Sequence, residues 1–267
     1  MKTFENCFEY DDDDNGCLSH VKYSDGSEEW YEYDANKACI HARWSDGREV
    51  WYDADGNLLH EKNSAGTELW YDAEGNRIHK KCLDGCEYWY EYDSDGKLIY
   101  SKWPDGYERW FDAKGNKVHT RCSNGFEQWF DSEGTIIHTK FTGGVENWYD
   151  DKHNLRHEKA ANGTEEWYEY DANGHCIHKT KSDRDEYWYD ANGNMIHEAD
   201  FSGLEQWYEY DDNGNIIHKK RSDGYEWWYD VNGYTIHEKD SYGFEHWYEH
   251  DAEGNRTHER DSMGVKY

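Results

Sequence analysis

Apolar and polar residues alternate along this chain in short runs that glycine-containing segments separate. Each unit reads approximately Ser-Asp-Gly-x-Glu-x-Trp-Tyr-(Glu-Tyr)-Asp-x-x-Gly-Asn-x-Ile-His-x-Lys, and the bracketed pair is present only in some units. No 3.6-residue period appears, whereas aromatic and β-branched runs bounded by turn residues are typical of strands. We therefore predict one β-hairpin for each unit.

The units repeat along the whole chain. The repeated histidines, with Tyr100 in the one missing slot, lie 19 or 21 residues apart, and no linker interrupts the series. Because a long meander must twist, we predict an all-β fold of tandem hairpins that forms a curved antiparallel sheet, a β-spiral or a β-solenoid. We expect one repeat domain over residues 1–267 with about thirteen hairpins, an atypical first unit over 1–23 and an incomplete last unit over 261–267.

Two kinds of turn alternate in the repeat. The Asp-x-x-Gly turn suits a type I turn with a left-handed glycine, followed by a bulge, and with an Asp side-chain cap, while the Asp-Gly type predicts a two-residue type I′ loop. With these loops Trp51 pairs with Leu59, and His60 pairs with Tyr71. One face then carries Glu, Trp, Asp and the aliphatic position, and the other face carries Tyr and His. The two-residue insertion keeps this parity, because side chains alternate along a strand.

Three units lack the turn glycine and have Lys37, His153 or Arg184 in its place. A side chain at a left-handed position costs roughly 1 kcal/mol. We therefore expect the turn at His153 to take a different conformation or to be the softest of the series.

The Trp and aliphatic positions are predicted to form a buried seam, because large aromatic side chains contribute most to burial in a chain poor in aliphatic residues. The alternative is an exposed Trp row that stacks on sugar rings or on a quaternary ammonium group. Ligand-binding residues are not assigned. The positions that we interpret as structural, a Glu and a Trp two residues later in each unit, are Glu28, Trp30, Glu49, Trp51, Glu68, Trp70, Glu87, Trp89, Glu108, Trp110, Glu127, Trp129, Glu146, Trp148, Glu165, Trp167, Glu186, Trp188, Glu205, Trp207, Glu226, Trp228, Glu245 and Trp247.

The repeated His residues do not predict a metal site, since equivalent residues of adjacent hairpins are about 9.6 Å apart and zinc ligands need about 2.1 Å. We expect each ring to pack on the Tyr of the next unit. The turn residues 53–57 resemble a calcium loop, but the ligand set is incomplete and its middle position varies. No nucleophile elbow, phosphate loop or zinc-protease motif occurs. We expect no enzyme activity, no catalytic residues, no metal and no cofactor.

Composition and charge narrow the choice of partners. The net charge is −30, which disfavours nucleic acid and anionic lipid. The aromatic residues comprise 15 Trp, 24 Tyr and 8 Phe, too many for a disordered chain. The 7 cysteines are odd in number and do not follow the repeat, and Met1 is not followed by an apolar signal segment. We expect free thiols in the cytoplasm, with export by a route other than the general secretory one as the alternative.

Residues 207–217, Trp-Tyr-Glu-Tyr-Asp-Asp-Asn-Gly-Asn-Ile-Ile, resemble the YD repeat of the Rhs family, and the resemblance extends over nearly the whole chain. It implies a spiralling β-sheet, which in that family forms a hollow shell around a toxin. A weaker resemblance links the units to choline-binding cell-wall repeats, which share a Gly-x-x-Trp-Tyr-Tyr hairpin.

Three functions follow from these observations. We expect a non-catalytic scaffold or protein-interaction repeat, with a protein partner or with self-association through the sheet ends. The first alternative is a glycan- or cell-wall-binding module. The second is an acidic, immunity-type protein that binds a basic partner. Nucleic acid and membrane are not expected as partners.

Overall fold

The chain divides into two structural units, each of which contains several of the sequence repeats: Met1–Thr135 and Ile136–Tyr267. The computed structural model describes residues 7–265. Residues 1–6 and 266–267, which belong to the predicted atypical first repeat and incomplete last repeat, lie outside the described residues.

The described part of the first unit contains thirteen antiparallel strands, each paired with the next along the chain. These strands are β1 (Cys7–Asp12), β2 (Leu18–Tyr23), β3 (Glu28–Tyr33), β4 (Cys39–Trp44), β5 (Glu49–Tyr52), β6 (Leu58–Lys62), β7 (Glu68–Tyr71), β8 (Arg77–Lys81), β9 (Glu87–Tyr92), β10 (Leu98–Lys102), β11 (Glu108–Phe111), β12 (Lys117–Arg121) and β13 (Glu127–Phe130).

The second unit has the same organisation, again with thirteen sequentially paired strands among its described residues. They are β14 (Ile136–Lys140), β15 (Glu146–Tyr149), β16 (Leu155–Lys159), β17 (Glu165–Tyr170), β18 (Cys176–Lys181), β19 (Glu186–Tyr189), β20 (Met195–Ala199), β21 (Glu205–Tyr210), β22 (Ile216–Arg221), β23 (Glu226–Tyr229), β24 (Thr235–Lys239), β25 (Glu245–His250) and β26 (Arg256–Asp261). The predicted all-β fold of tandem hairpins is confirmed.

Both kinds of turn have three-residue loops. The Asp53 amide donates to the carbonyl of Asn57 at 2.9 Å, and the Asn63 amide donates in the same way to Thr67 at 2.9 Å. A type I′ turn would need positive φ at two residues, but only the glycine of each of these loops has it, with φ 83° at Gly56 and 79° at Gly66. The predicted two-residue loop is therefore wrong, whereas the predicted Asp side-chain cap is confirmed by the 2.8 Å bond from the Asn57 amide to Asp53 Oδ1.

The register also differs from the prediction. Trp51 lies opposite His60 rather than Leu59, and His60 lies opposite Trp70 rather than Tyr71. In the hairpin of β5 and β6, the cause of the changed register is a β-bulge between Trp51 and Tyr52, which places Leu59 outside the regular pairing. With two odd loops alone, Trp would change face at each repeat. The bulge adds one residue to each repeat, and this keeps all the repeated Trp residues of a structural unit on one face.

The turn at His153 keeps the standard conformation, so the expected change of conformation is wrong. His153 has φ 68°, and its amide donates to the carbonyl of Asp150 at 3.1 Å as the glycine does in other turns. Five hydrogen bonds of Asp150 hold the loop in this shape, and in two of them the amides of Lys152 and Asn154 donate to Asp150 Oδ1. His153 therefore retains the backbone strain that glycine avoids.

The most buried side chains lie on the face that carries tyrosine, not on the face that carries tryptophan. Val21, Ala42 and Thr120, which are 1%, 4% and 2% exposed, each follow a repeated histidine. The predicted buried seam of Trp and aliphatic residues is wrong. The bulge turns the aliphatic position outward, and of the twelve repeated Trp residues three are exposed and nine are only half-buried. The half-exposed aliphatic residues are Leu59, Ile78, Ile137, Ile177, Ile196 and Ile236.

Candidate functional site: the Trp–His face

In each of the two structural units, the repeated Glu, Trp and His residues lie on one face of the sheet, which we call the Trp–His face. The opposite face is the Tyr face. Each strand that carries a predicted Glu and Trp position begins with that Glu and has the Trp as its third residue. His60 lies opposite Trp51 on one neighbouring strand and opposite Trp70 on the other. The predicted placement of His on the Tyr face is therefore wrong, and so is its predicted packing on Tyr.

The His and Trp rings stack alternately. The centroid of His60 is 4.3 Å from that of Trp51 and 4.4 Å from that of Trp70, and the planes are within 17° of parallel. The imidazole thus has an indole on both of its faces. Tyr100 lies tilted at 49° to Trp110 and is not stacked on it. The stacks that lie within a single structural unit are His20–Trp30, His41–Trp51–His60–Trp70–His79–Trp89, Trp110–His119–Trp129, His138–Trp148–His157–Trp167, His178–Trp188–His197–Trp207 and His218–Trp228–His237–Trp247.

Each stacked histidine also approaches the Glu that follows it by eight residues. His157 Nε2 and Glu165 Oε2 are 2.8 Å apart, and Tyr100, which replaces a histidine, donates to Glu108 at 2.9 Å. The expectation that Glu and His lie on opposite faces is wrong, because it rested on the two-residue loop. The His–Glu pairs are His20–Glu28, His41–Glu49, His60–Glu68, His79–Glu87, His119–Glu127, His138–Glu146, His157–Glu165, His178–Glu186, His197–Glu205, His218–Glu226 and His237–Glu245.

Burial between two indoles affects the acid–base chemistry of His60. Desolvation lowers the pKa of this imidazole below its usual value, and the neighbouring Glu68 carboxylate opposes the shift. Several of the repeated Glu carboxylates also form an ion pair with a lysine. Lys62 Nζ lies 3.0 Å from Glu49 Oε1, and this hydrogen bond lowers the pKa of Glu49. The Glu49 carboxylate thus lies between two basic side chains, His41 and Lys62.

The longer units interrupt the ring stacks. The two additional residues shift the register, so that Trp30 lies opposite Arg43 rather than opposite a histidine. A new stack then starts at His41, whose Nδ1 approaches Glu32 at 3.4 Å. The tryptophans that end a stack in this way are Trp30, Trp89, Trp167, Trp207 and Trp247, and they lie opposite Arg43, Lys102, Thr180, Lys220 and Arg260.

On the Tyr face, the tyrosine hydroxyls donate to carboxylates. Tyr71 donates to Glu61 at 2.6 Å, and burial together with this bond raises the pKa of Tyr71 to about 12. Tyr208 makes the equivalent 2.6 Å bond to Glu198, and the same causes raise its pKa. The hydroxyls of Tyr71 and Tyr208 are therefore held in the neutral form by these internal contacts.

The turn carboxylates are likewise occupied. The Asn57 side-chain amide donates to Asp53 Oδ2 at 2.9 Å, and this bond is the first cause of the lowered pKa of Asp53. Among residues 7–265, no group of three or more His, Cys, Asp or Glu side chains is placed to hold a metal ion. The thiols of Cys17, Cys39, Cys82, Cys86, Cys122 and Cys176 are free, and the Cys7 side chain lies outside the description.

A signal for the His–Glu pairs was present in the sequence. The separation from His to the next Glu is eight residues in short and long units alike, since the length varies only between Trp and the following His. A constant separation indicates a hairpin of fixed register. The turn sequence 63–67, whose first residue Asn63 accepts the amides of Ala65 and Thr67, would have indicated a three-residue loop.

The fold and the face together define a tandem β-hairpin repeat protein with an aromatic ladder on one side. Residues 131–267, just over half of the chain, match the Teneurin YD-shell family. The chain belongs to this YD-shell family, which confirms the predicted YD-repeat resemblance and is consistent with a structural repeat protein. No helix in the described part of the chain is long and apolar enough to cross a membrane.

Several solved structures are similar. A TcdB2–TccC3 structure is 12% identical with a TM-score of 0.28, over 96% of this chain and 20% of that one. The Photorhabdus luminescens Tc holotoxin pore is 12% identical with a TM-score of 0.22, over 97% and 17%. The TCP10 domain of Danio rerio CPAP with a STIL peptide is 16% identical with a TM-score of 0.32, over 78% and 96%. The chain spans about a fifth of the first of these toxin chains. Among curated proteins, none matches the sequence.

Proposed function

We propose that this chain is a non-catalytic structural scaffold that presents its Trp–His face to a protein partner. The observation that carries the proposal is that the repeated polar groups are used for internal contacts in unit after unit. His60 is covered by two indoles, Glu49 is paired with Lys62, and Tyr71 is bonded to Glu61. A general base must be within reach of a substrate proton, whereas these groups are engaged with one another.

The charge supports a basic protein as the partner. With a net charge of −30, the chain attracts cationic surfaces and speeds their encounter. An acidic, immunity-type role is a special case of this interaction. The free thiols favour a reducing compartment, and we propose the cytoplasm as the location.

Interchangeability of repeats tests the scaffold function. Deletion of residues 186–204 or of residues 49–67 removes one unit in register, because each deletion ends before the next repeated Glu. We expect both variants to fold, with similar circular dichroism for each residue, and to keep binding to an arginine-rich peptide. A matched deletion of 187–204 shifts the parity and should unfold the chain locally. Loss of peptide binding in one in-register deletion but not in the other would indicate a single specialised site.

Glycan binding is the second candidate function, because three tryptophans of the Trp–His face are exposed: Trp89, Trp167 and Trp207. Exposed indoles stack on sugar rings. Titration with a chito-oligosaccharide and with a soluble β-glucan, followed by tryptophan fluorescence, separates the two functions. The scaffold proposal predicts no saturable quenching, and saturable quenching would favour the glycan function.

A further inference from the structure

The five tryptophans that end a ring stack differ in what covers their open face. Arg43 lies with its guanidinium carbon 4.5 Å from the ring centroid of Trp30, and Arg260 lies 4.6 Å from that of Trp247. Both of these indoles are half-buried. In two of the five long units, therefore, the chain places its own arginine on the stack-ending tryptophan.

The other three stack-ending tryptophans are exposed. Trp89 is 45% exposed, Trp167 40% and Trp207 37%. The residues opposite them are Lys102, Thr180 and Lys220 in the same order. Whether the indole is covered or open thus depends on the residue that lies opposite it on the neighbouring strand. That residue is arginine in the two repeats with a covered indole.

Lysine at that position does not cover the indole. Lys102 directs its Nζ to Glu108 at 3.7 Å, and Lys220 is exposed. A guanidinium is planar and weakly hydrated, so it stacks on an aromatic face, whereas an ammonium is a compact and strongly hydrated charge. The open sites therefore have the shape for a planar cation.

Carboxylates flank each open indole on the same strand and the same face. Trp167 lies between Glu165 and Glu169, and the Glu169 side chain is 61% exposed. Trp207 lies between Glu205 and Glu209, and the Glu209 side chain is 69% exposed. A carboxylate beside the ring is a hydrogen-bond acceptor for a guanidinium that stacks there.

We propose that the open faces of Trp167 and Trp207, and of Trp89 in the first unit, are binding sites for arginine side chains of a partner protein. Each arginine stacks on the indole and donates to the flanking carboxylates, as Arg43 and Arg260 stack within the chain itself. The Trp167 site has no cation opposite the ring, since that position is Thr180. This inference rests on the proposed interaction with a protein.

Filling the Trp167 site from within tests the inference. Thr180→Arg places at this position the residue that covers Trp30 and Trp247, and Thr180→Lys is the control with equal charge. The probes are two peptides of the same length and charge, one rich in arginine and one rich in lysine, titrated by calorimetry. We expect the full chain to bind the arginine peptide more tightly. We expect Thr180→Arg to weaken that binding about two- to fivefold and to protect the Trp167 indole N–H in NMR spectra.

The reverse change should create a site. Arg43→Thr and Arg260→Thr remove exposed side chains and uncover Trp30 and Trp247, so each variant should bind the arginine peptide more tightly than the parent chain. Equal affinity for the two peptides, or equal effects of Thr180→Arg and Thr180→Lys, would overturn the arginine sites and leave a general charge interaction. Binding of an oligosaccharide at Trp167 in place of the peptide would also overturn them. Failure of the scaffold function would be recognised separately, in the deletion variants.

Discussion

His153 occupies a turn position at which eleven of the other Asp-x-x-Gly-type turns with described φ have glycine at 73° to 88°, for example Gly134 and Gly174 at 85° and 88°. Its own φ of 68° lies in the same left-handed region. The surrounding bonds of Asp150 therefore impose the conformation, and the side chain adds a steric cost that glycine lacks.

We predict that His153→Gly raises the free energy of unfolding by about 1 kcal/mol, because it removes this steric cost without changing the turn. Urea unfolding measures the difference. Gly193→His is the matched control, since a side chain at Gly193 meets open space and has only the φ of 85° against it. That variant should lose a similar amount, and an unchanged midpoint in both would contradict the strain.

The stacked histidines link the ladder to pH, and His60 is the case in which a shift of the pKa is resolved. Its folded pKa lies below the unfolded value because the two indoles desolvate the imidazolium. A base with a depressed folded pKa binds fewer protons when folded. Its contribution to stability is therefore present above the unfolded pKa of about 6.5 and is lost as the pH falls below it.

We predict that the His60 ring titrates below pH 6.5 in NMR spectra and that Glu68→Gln lowers this pKa further, because Glu68 is the group that opposes desolvation. The stability of the Glu68→Gln variant should fall more steeply than that of the parent between about pH 6.5 and 5. A His60 pKa above 6.5 in the parent chain would show that the carboxylate outweighs burial.

At the scale of the hairpin, the sequence predicts the strands and the Asp-capped turn correctly, but it does not predict which residues pair across the strands. The strands and the Asp-capped turn follow from local turn chemistry and from period-two parity. The single Trp face is predicted too, but from a loop length that is wrong, and the bulge restores it. The sequence predicts a bulge after the turn but not its position at Leu59, which leaves no mark in the alternation of residues, so the pairing of Trp51 with His60 does not follow from the sequence. A one-residue shift moves His to the other face, so the His–Trp stacks and His–Glu pairs could not be predicted from the assumed loops.

We predict that a long unit can be made from a short one. Inserting Glu-Tyr between Tyr52 and Asp53 keeps parity and places Trp51 opposite Lys62, as Trp89 and Trp207 lie opposite lysines. The stack between Trp51 and His60 is then lost, at a cost of about 0.5–1.5 kcal/mol. A red shift of the tryptophan emission should report the newly exposed indole, with the fold retained.

Insertion of Glu alone at the same place is the control for parity. One residue sends the remainder of the strand to the wrong face, so we expect a much larger loss of stability in urea unfolding than for the two-residue insertion. Equal losses for the two insertions would mean that the bulge can absorb a single residue and that parity is not enforced.

At the scale of the whole chain, composition suggests the kind of partner that we propose, but it does not predict the place of binding. The net charge of −30 supports the proposal of a cationic partner. The open indoles at Trp89, Trp167 and Trp207 depend on the register shift of the long units and on the residue opposite each ring. Both features require pairings that only the structure shows.

The dependence of binding on salt separates long-range charge attraction from stacking of arginine on the open indoles. Long-range attraction between the chain and a cationic peptide is screened by salt, with a Debye length of about 10 Å at 0.1 M and about 3 Å at 1 M. Stacking of a guanidinium on an indole at contact distance is screened far less. We therefore predict that affinities for the arginine and lysine peptides both fall as salt is raised, while their ratio stays constant or increases. Calorimetric titrations at three salt concentrations measure the ratio, and its decline toward one would show that charge alone accounts for the binding.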